Sequence, residues 1–320
     1  MSGYPDHYGI NFTKTTHEHP EGPTLPENNK PPAGQPFNVV VTGAGKGLGY
    51  AISIAYAKAG ATGVSISSRT QSDLDKLSSE LKKINPDINI ISQTCDTSKP
   101  EDVRQLAETV KREWNGRLDV VVANAGIISK YIEDEVNPKT GKVQPRRLPV
   151  GITEDDDFAR VTNINYLGSY YTAKYFTPLL IEKSNESKVR AYIVITSLAS
   201  QFPISDFTPI AYNVSKVANN RMVEHMAADH EKDGLLAFAV HPGEVVTPQT
   251  QGHSTESGDM WEALLQTDIG LAGGFCTWLT AARRDYLSGR YLSVHWDTNE
   301  LEAKKDEILK DDKLKFKMAV

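Results

Sequence analysis

A short β-branched run that stops at a glycine-rich turn, with a helical pattern opening directly behind it, limits this chain more than any other feature. Residues 37–42, Phe-Asn-Val-Val-Val-Thr, read as a buried strand ending at Gly43. A helix is expected from about Leu48 to Ala59, closed by Gly60. The pattern then repeats. Strands expected at 64–68, 88–94, 118–123, 191–196, 235–240 and 291–294 alternate with helices at 72–84, 100–114, 154–181, 209–232 and 269–282. Such alternation specifies a parallel sheet covered on both faces. Right-handed crossovers then make it an α/β, Rossmann-like, doubly wound fold with a mostly parallel sheet of seven strands.

Four stretches fall outside this rhythm. Residues 1–36 are polar and rich in Pro, Asn and His, which predicts a solvated or surface-draped arm. Residues 127–152 carry Asn137-Pro138, Thr140-Gly141, Pro145 and Pro149 and read as a surface insertion. Residues 243–265 read as a mobile lid with a short helix, and 297–320 as a charged, partly helical tail. Between arm and tail, 37–296 is expected to be a single domain. The 320 residues, 39% hydrophobic, suffice for it.

Composition removes several function classes. The net charge is -6 and no long Lys/Arg run occurs, which argues against nucleic acid. No stretch approaches the ~18–20 apolar residues of a membrane span, and no basic-then-apolar leader opens the chain, so a cytoplasmic protein is expected. Cys95 and Cys276, the two cysteines, read as reduced buried thiols. His17-Glu18-His19 has no second ligand cluster, so no metal is expected there.

Thr42-Gly43-Ala44-Gly45-Lys46-Gly47-Leu48-Gly49 joins the first strand to the first helix. Glycines let a pyrophosphate approach the backbone, and the helix N-terminus supplies N–H groups and partial positive charge. The second strand ends Ser67-Ser68-Arg69, without the acid that would bind a ribose 2′-hydroxyl. Arg69 offers a donor fork to a 2′-phosphate and Lys46 a second positive charge, which favours NADP(H) over NAD(H). Asp96 closes the third strand, either as an acceptor for the adenine amino group or as a cap for the next helix. Farther on, Tyr212 and Lys216 lie one helical turn apart, on one face. An ammonium beside a phenol is expected to lower the phenol pKa from ~10 and make a usable acid-base.

These pieces together resemble the short-chain dehydrogenase/reductase family, single-domain type. The matching residues are Thr42-Gly43-x-x-x-Gly47-x-Gly49, Asn124-Ala125-Gly126, Asn165, Ser197, Tyr212-x-x-x-Lys216, and Pro242-Gly243 followed by Thr247, in the family's order across residues 37 to about 296. The arm, the 127–152 insertion and the Trp296-Asp297 tail resemble fungal members, which suggests a place in secondary metabolism. The resemblance implies that Tyr212 exchanges a proton with the reacting oxygen. Lys216 would lower the Tyr212 pKa and hold the nicotinamide ribose. Ser197 would orient the oxygen, and Asn165 would hold a proton-relay water. Ser200 and Thr196 are alternatives to Ser197, and Asn163 to Asn165. Asn124, Ala125 and Gly126 would line the cofactor while Asn124 braces the strands. Pro242, Gly243, Val245 and Thr247 would form the turn over the nicotinamide carboxamide.

The implied pocket has walls from 198–207, 127–152 and 245–265, with Phe202, Phe207, Met260 and Trp261 either lining it or serving core and subunit contacts. It would take a ketone or aldehyde, or the matching alcohol, on a sizeable skeleton. A homodimer or homotetramer through the Tyr-Lys helix is expected from the resemblance. Two other functions stay open: a cofactor-binding scaffold without redox chemistry, and a cyclase or isomerase using the same residues.

Overall fold

The computed structural model describes residues 5–318, apart from 129–133, 137, 140, 142, 146–156, 206–207 and 252–264. Its frame runs β1 (Asn38–Thr42), α1 (Gly47–Ala59), β2 (Gly63–Ser68), α2 (Gln71–Ile84), β3 (Asn89–Thr94), α3 (Pro100–Glu113) and β4 (Val120–Ala123). Next come the antiparallel pair β5 (Asp134–Val136) and β6 (Val143–Pro145), which lie in the expected insertion. The second half contains α4 (Phe158–Thr162), α5 (Gly168–Ile181), β7 (Ala191–Ile195), α6 (Ile210–Asp229), β8 (Leu236–His241), α7 (Pro248–Gln251), α8 (Ile269–Ala281), β9 (Arg290–Ser293), α9 (Thr298–Ala303) and α10 (Lys305–Lys310).

Seven strands form one sheet in the order β3-β2-β1-β4-β7-β8-β9, every neighbouring pair parallel. The order reverses between β1 and β4. There the crossovers leave in opposite directions and open a crevice at the carboxyl ends of the strands. Alternate residues feed two cores. Val39, Val41, Val120 and Val122 face α1, α2 and α8, whereas Val40, Val121, Tyr192 and Val194 face α3, α5 and α6. Both faces of the central strands are dry, so the sequence shows continuous apolar runs rather than alternation. Cys95 and Cys276 are free and buried, and burial pushes both thiols up to about 12, which keeps them protonated.

The long helix expected at 154–181 is described from Phe158 and is interrupted by a π-helical turn over Asn163–Leu167. Such turns take one extra residue and redirect neighbouring groups, often at functional sites. The amino-terminal segment is draped and anchored rather than solvated. Tyr8 is buried against Phe202, Phe12 packs on Trp296, and Thr16 bridges to Trp296. The Thr24 carbonyl would come within 2.0 Å of a Cβ at position 274, so only glycine admits the arm against α8. That cover explains why α8 is buried on nearly every side. In the tail, Leu301 and Ile308 also reach the core. Among the described residues no helix is long and apolar enough to cross a membrane.

Candidate functional site

The crevice at the switch point is a cavity of about 620 Å³, within the ~300–1,000 Å³ of ligand pockets. Its lining runs from the glycine turn to Tyr212 and Lys216. Gly43, Gly45, Lys46, Gly47 and Leu48 border it at one end, with Ser68, Arg69 and Asp96. Asn124, Ala125 and Gly126 form its floor, and Ser197, Tyr212, Lys216, Pro242, Gly243, Val245 and Thr247 border the other end. Thr42, Gly49 and Asn165 stand behind the lining, as supports.

The glycine turn has left-handed backbone at Gly43 (φ 65), where a Cβ would also lie 2.8 Å from the Ala125 Cα. Asn124 fixes the turn from below: its Nδ2 donates to the Thr42 and Gly43 carbonyls at 3.0 and 3.2 Å. The Thr42 hydroxyl accepts from the Asn124 and Ala125 N–H groups. Lys46, the residue preceding α1, makes no side-chain cap, so the N–H groups of the first turn have no side-chain acceptor there. An uncapped helix start beside a glycine turn fits a nicotinamide cofactor's pyrophosphate.

At the β2 end Lys46 has a partner: its Nζ lies 3.2 Å from an Asp73 carboxylate oxygen in the first turn of α2. Gly45 packs against the same Asp73 and the Ser68 hydroxyl. Asp73 is therefore a cavity residue that the sequence pattern did not single out. Its one signal was an acid in a helix's first turn, where acids are common anyway. Arg69 is exposed at the cavity rim. Asp96 accepts from the Ser98 N–H and hydroxyl, closing the turn before α3, while also bordering the cavity.

Tyr212 and Lys216 emerge from one face of α6. Lys216 is buried, donates to the Ile195 carbonyl at 2.8 Å, and holds its Nζ 5.4 Å from the centre of the Tyr212 ring. Burial lowers the Lys216 pKa to about 8. The Tyr212 pKa is raised above 10.0, by burial first, with a Ser197 hydrogen bond pulling the other way. This reverses the expected direction for the phenol. Removing water from a phenolate outweighs what favours it, so Tyr212 stands as a protonated acid.

Ser197 borders the cavity and caps the turn after β7, accepting from Ala199 N–H at 3.2 Å. The alternatives are tied elsewhere. Ser200 Oγ donates to the Ser197 carbonyl and accepts from Asn220, and Thr196 Oγ1 donates to the Lys216 carbonyl. Asn165 lies in the π-helical turn, fully buried. Its amide exchanges two 2.8 Å hydrogen bonds with the Ile127 backbone and donates to Ser215 Oγ. Its main-chain carbonyl accepts from Ser169 Oγ and Asn219 Nδ2. Its amide protons and main-chain carbonyl are engaged by protein groups, so Asn165 braces the segment after β4 against α6. A Cβ at Gly126 would lie 3.3 Å from Asn165 Oδ1 and 3.6 Å from Lys216 Nζ, so the three meet beneath the floor.

Phe202 and Leu198 border the cavity; Phe207, Met260 and Trp261 lie outside the described residues. Three charged or titratable residues of the lining are not assigned to the cavity by sequence, Glu18 being weighed there only within His17-Glu18-His19. His241 ends β8, Glu244 follows it in the next turn, and Glu18 comes from the amino-terminal arm. His295, two residues beyond β9, completes the group, its Nε2 3.0 Å from Glu244 Oε2. Burial alone would raise the Glu244 pKa, but His241 and His295 outweigh it and hold the carboxyl well below the usual range.

The short chain dehydrogenase family profile matches residues 38–258, and the chain belongs to that family. Its members are oxidoreductases that bind a nicotinamide cofactor. Among fungal relatives, it is 37% identical to the short chain dehydrogenase pgmD of Aspergillus terreus over 324 aligned positions, covering 100% of this chain and 98% of that protein. It is 33% identical to the short chain dehydrogenase pigC of Monascus ruber, over 87% of this chain and 85% of that one. A short-chain type dehydrogenase/reductase from Mycobacterium marinum superposes with a TM-score of 0.67 at 20% identity, covering 81% and 94% of the two chains. An alcohol dehydrogenase from Thermococcus sibiricus complexed with 5-hydroxy-NADP gives 0.62 at 24%, over 82% and 97%. The structural likenesses speak to the fold.

Proposed function

We propose that this protein is an NADP(H)-dependent reductase or dehydrogenase that interconverts a ketone or aldehyde with the corresponding alcohol. One observation carries the reading: Tyr212, Ser197 and Lys216 converge on a cavity whose far end is the uncapped N-terminus of α1. A bound nicotinamide supplies or takes up the hydride.

In the reducing direction Tyr212 gives its proton to the substrate oxygen as negative charge develops there. Its raised pKa keeps that proton available at neutral pH. Ser197 holds the same oxygen, so the charge forms against a prepositioned hydroxyl. Lys216, with a pKa of about 8, remains mostly protonated near pH 7 and stabilises the phenolate left behind. It also serves as a ribose anchor. Asn165 acts through others, holding the segment after β4 against α6 so that Lys216 keeps its place. Substrate reaches this point past Phe202 and Leu198, whose apolar surfaces suit a carbon skeleton.

Arg69 supports NADP(H), as an exposed guanidinium at the rim with no acid at the tip of β2. Lys46 supports it less, because Asp73 already pairs with it. The relatives in fungi favour a role in secondary metabolism, and a homodimer or homotetramer through α6 fits the family.

The test is turnover of NADPH with a panel of ketones and aldehydes, followed by the absorbance of the reduced nicotinamide. The expected result is turnover that Tyr212→Phe abolishes while NADPH still binds. Undiminished turnover in that variant would overturn the mechanism. Binding without turnover on any carbonyl or alcohol would favour a scaffold, or a cyclase or isomerase.

A further inference from the structure

Glu244 stands between two imidazoles at the ends of adjacent strands. His241 is the last residue of β8, and its neighbour across the ladder, Ser293, ends β9 two residues before His295. Parallel pairing thus brings both rings to one edge, with centroids 5.8 Å apart. His241 Nε2 lies 3.3 Å from Glu244 Oε1 and His295 Nε2 lies 3.0 Å from Glu244 Oε2. The side chains of His241 and His295 are only 5% and 10% exposed, that of Glu244 22%.

The arm fixes the tautomer of His295. Its Nδ1 lies 2.9 Å from the His17 carbonyl oxygen, which only accepts. The proton must therefore sit on Nδ1, donating to His17. In neutral His295 the Nε2 lone pair then points at a carboxylate oxygen at hydrogen-bond distance. Two electron pairs do not hold that distance unaided; a positive charge belongs between them. Either a second proton or a metal ion supplies it.

The geometry suits a metal. Bonds of ~2.0–2.1 Å in a tetrahedron place neighbouring ligand atoms ~3.3 Å apart. The gaps to the two Glu244 oxygens, 3.3 Å at Oε1 and 3.0 Å at Oε2, are close to that spacing. The ligand atoms of all three residues lie within 4.8 Å of one another, a looser cluster that small side-chain shifts would close on an ion. Two histidines and a glutamate are a donor set of the zinc class. The His295 Nδ1 bond to a backbone carbonyl is the outer support that ligating histidines usually have. We propose that His241, Glu244 and His295 bind one divalent ion of the zinc class through both Nε2 atoms and the Glu244 carboxylate, with water completing the shell. The ion ties the turn after β8 to the β9 end. Through the His17 carbonyl it also secures the amino-terminal arm, whose Glu18 is held by Thr267 Oγ1 at 2.9 Å. This site is independent of the redox reading: it requires no turnover and no substrate.

The test is calorimetric titration of the chelator-stripped full-length protein with zinc chloride, followed by zinc-edge X-ray absorption on the loaded protein. Expected are one tight ion per chain, two nitrogen ligands with oxygen at ~2.0–2.1 Å, and a raised Tm. His295→Asn, which keeps a donor near the Nδ1 position, and Glu244→Gln, which keeps side-chain size, should each weaken binding beyond the ~10–100-fold that loss of an outer partner costs. His230→Ala, remote from the cluster, should leave it unchanged. Absence of stoichiometric binding to the folded wild type would overturn the site and leave a protonated His295 as the bridging charge. Tight binding that survives both substitutions would also overturn it.

Discussion

The two ends of the cavity are built differently. Around Tyr212 the neighbouring groups are held by buried or partly buried bonds: Lys216 to the Ile195 carbonyl, Asn165 to Ile127, Ser197 to the Ala199 N–H. Around β2, Lys46 has a side chain 63% exposed and pairs at 3.2 Å with Asp73, whose side chain is 13% exposed. The Tyr212 end is therefore set by backbone and packing, and the β2 end by a pair with one largely exposed side chain. Substitutions should accordingly be severe and specific at the first end and graded at the second.

The largest effect belongs to Tyr212. Tyr212→Phe removes the acid and should cost ~10²–10⁴-fold in kcat, the range for a positioned general acid. Steady-state kinetics check this, with fluorescence titration showing that cofactor binding persists. Lys216 should separate activity from stability. The gap between about 8 in the fold and 10.5 for the free side chain corresponds to about 3 kcal/mol against the buried ammonium. A depressed folded pKa means stability is fully present above 10.5 and is lost as pH falls through about 8. Lys216→Met should lose most activity and flatten this alkaline rise in urea-unfolding curves. Its net gain near pH 7 is reduced by ~1–3 kcal/mol because the Ile195 carbonyl loses its donor. In the same region, kcat/KM for reduction should decline as pH rises through about 8. Lys216→Arg, which stays charged, should move that limb upward.

Asn165→Ala tests the brace. It orphans the Ile127 N–H and carbonyl and should destabilise the fold by roughly 2–6 kcal/mol in urea unfolding, at ~1–3 kcal/mol for each group left without its partner. A merely local role in holding water would leave stability near that of the wild type.

The β2 end should respond more mildly. Arg69→Ala should weaken NADPH binding roughly 10-fold, in keeping with a charged hydrogen bond of ~1.5–3 kcal/mol, and leave NADH nearly unchanged. Calorimetric titration with both cofactors decides it; equal losses would break the assignment. Asp73→Asn should improve NADPH affinity only a few-fold, because exposed pairs contribute ~0–1 kcal/mol.

The same contrast explains what the sequence revealed. Strand-helix alternation was legible because β-branched runs such as Val39-Val40-Val41 are dry on both faces. Tyr212, Lys216 and the glycine turn could be picked out as candidates because their spacing is local and fits one turn or one helix face, whereas Ser197 came only through the family resemblance. Groups joined only in three dimensions were not. The Lys46–Asp73 pair spans two helices, and the π-helical turn at Asn165 carries no composition signal. His295 meets His241 only because β8 and β9 pair. The amino-terminal arm could be read only as solvated or surface-draped because its anchors, Tyr8, Phe12 and Thr24, are too sparse to show periodicity. The expected lowering of the Tyr212 pKa failed because adjacency to a lysine was visible in the sequence and burial was not.

Hydride transfer at the Tyr212 end is the central claim, and isotope transfer tests it most directly. NADPH deuterated at nicotinamide C4 is incubated with the protein and a carbonyl compound that it turns over, and the product is read by mass spectrometry and NMR. The account predicts one deuterium on the carbinol carbon, all from one face of the nicotinamide, and none with Tyr212→Phe. Product formed without deuterium, with the cofactor still reduced, would contradict it.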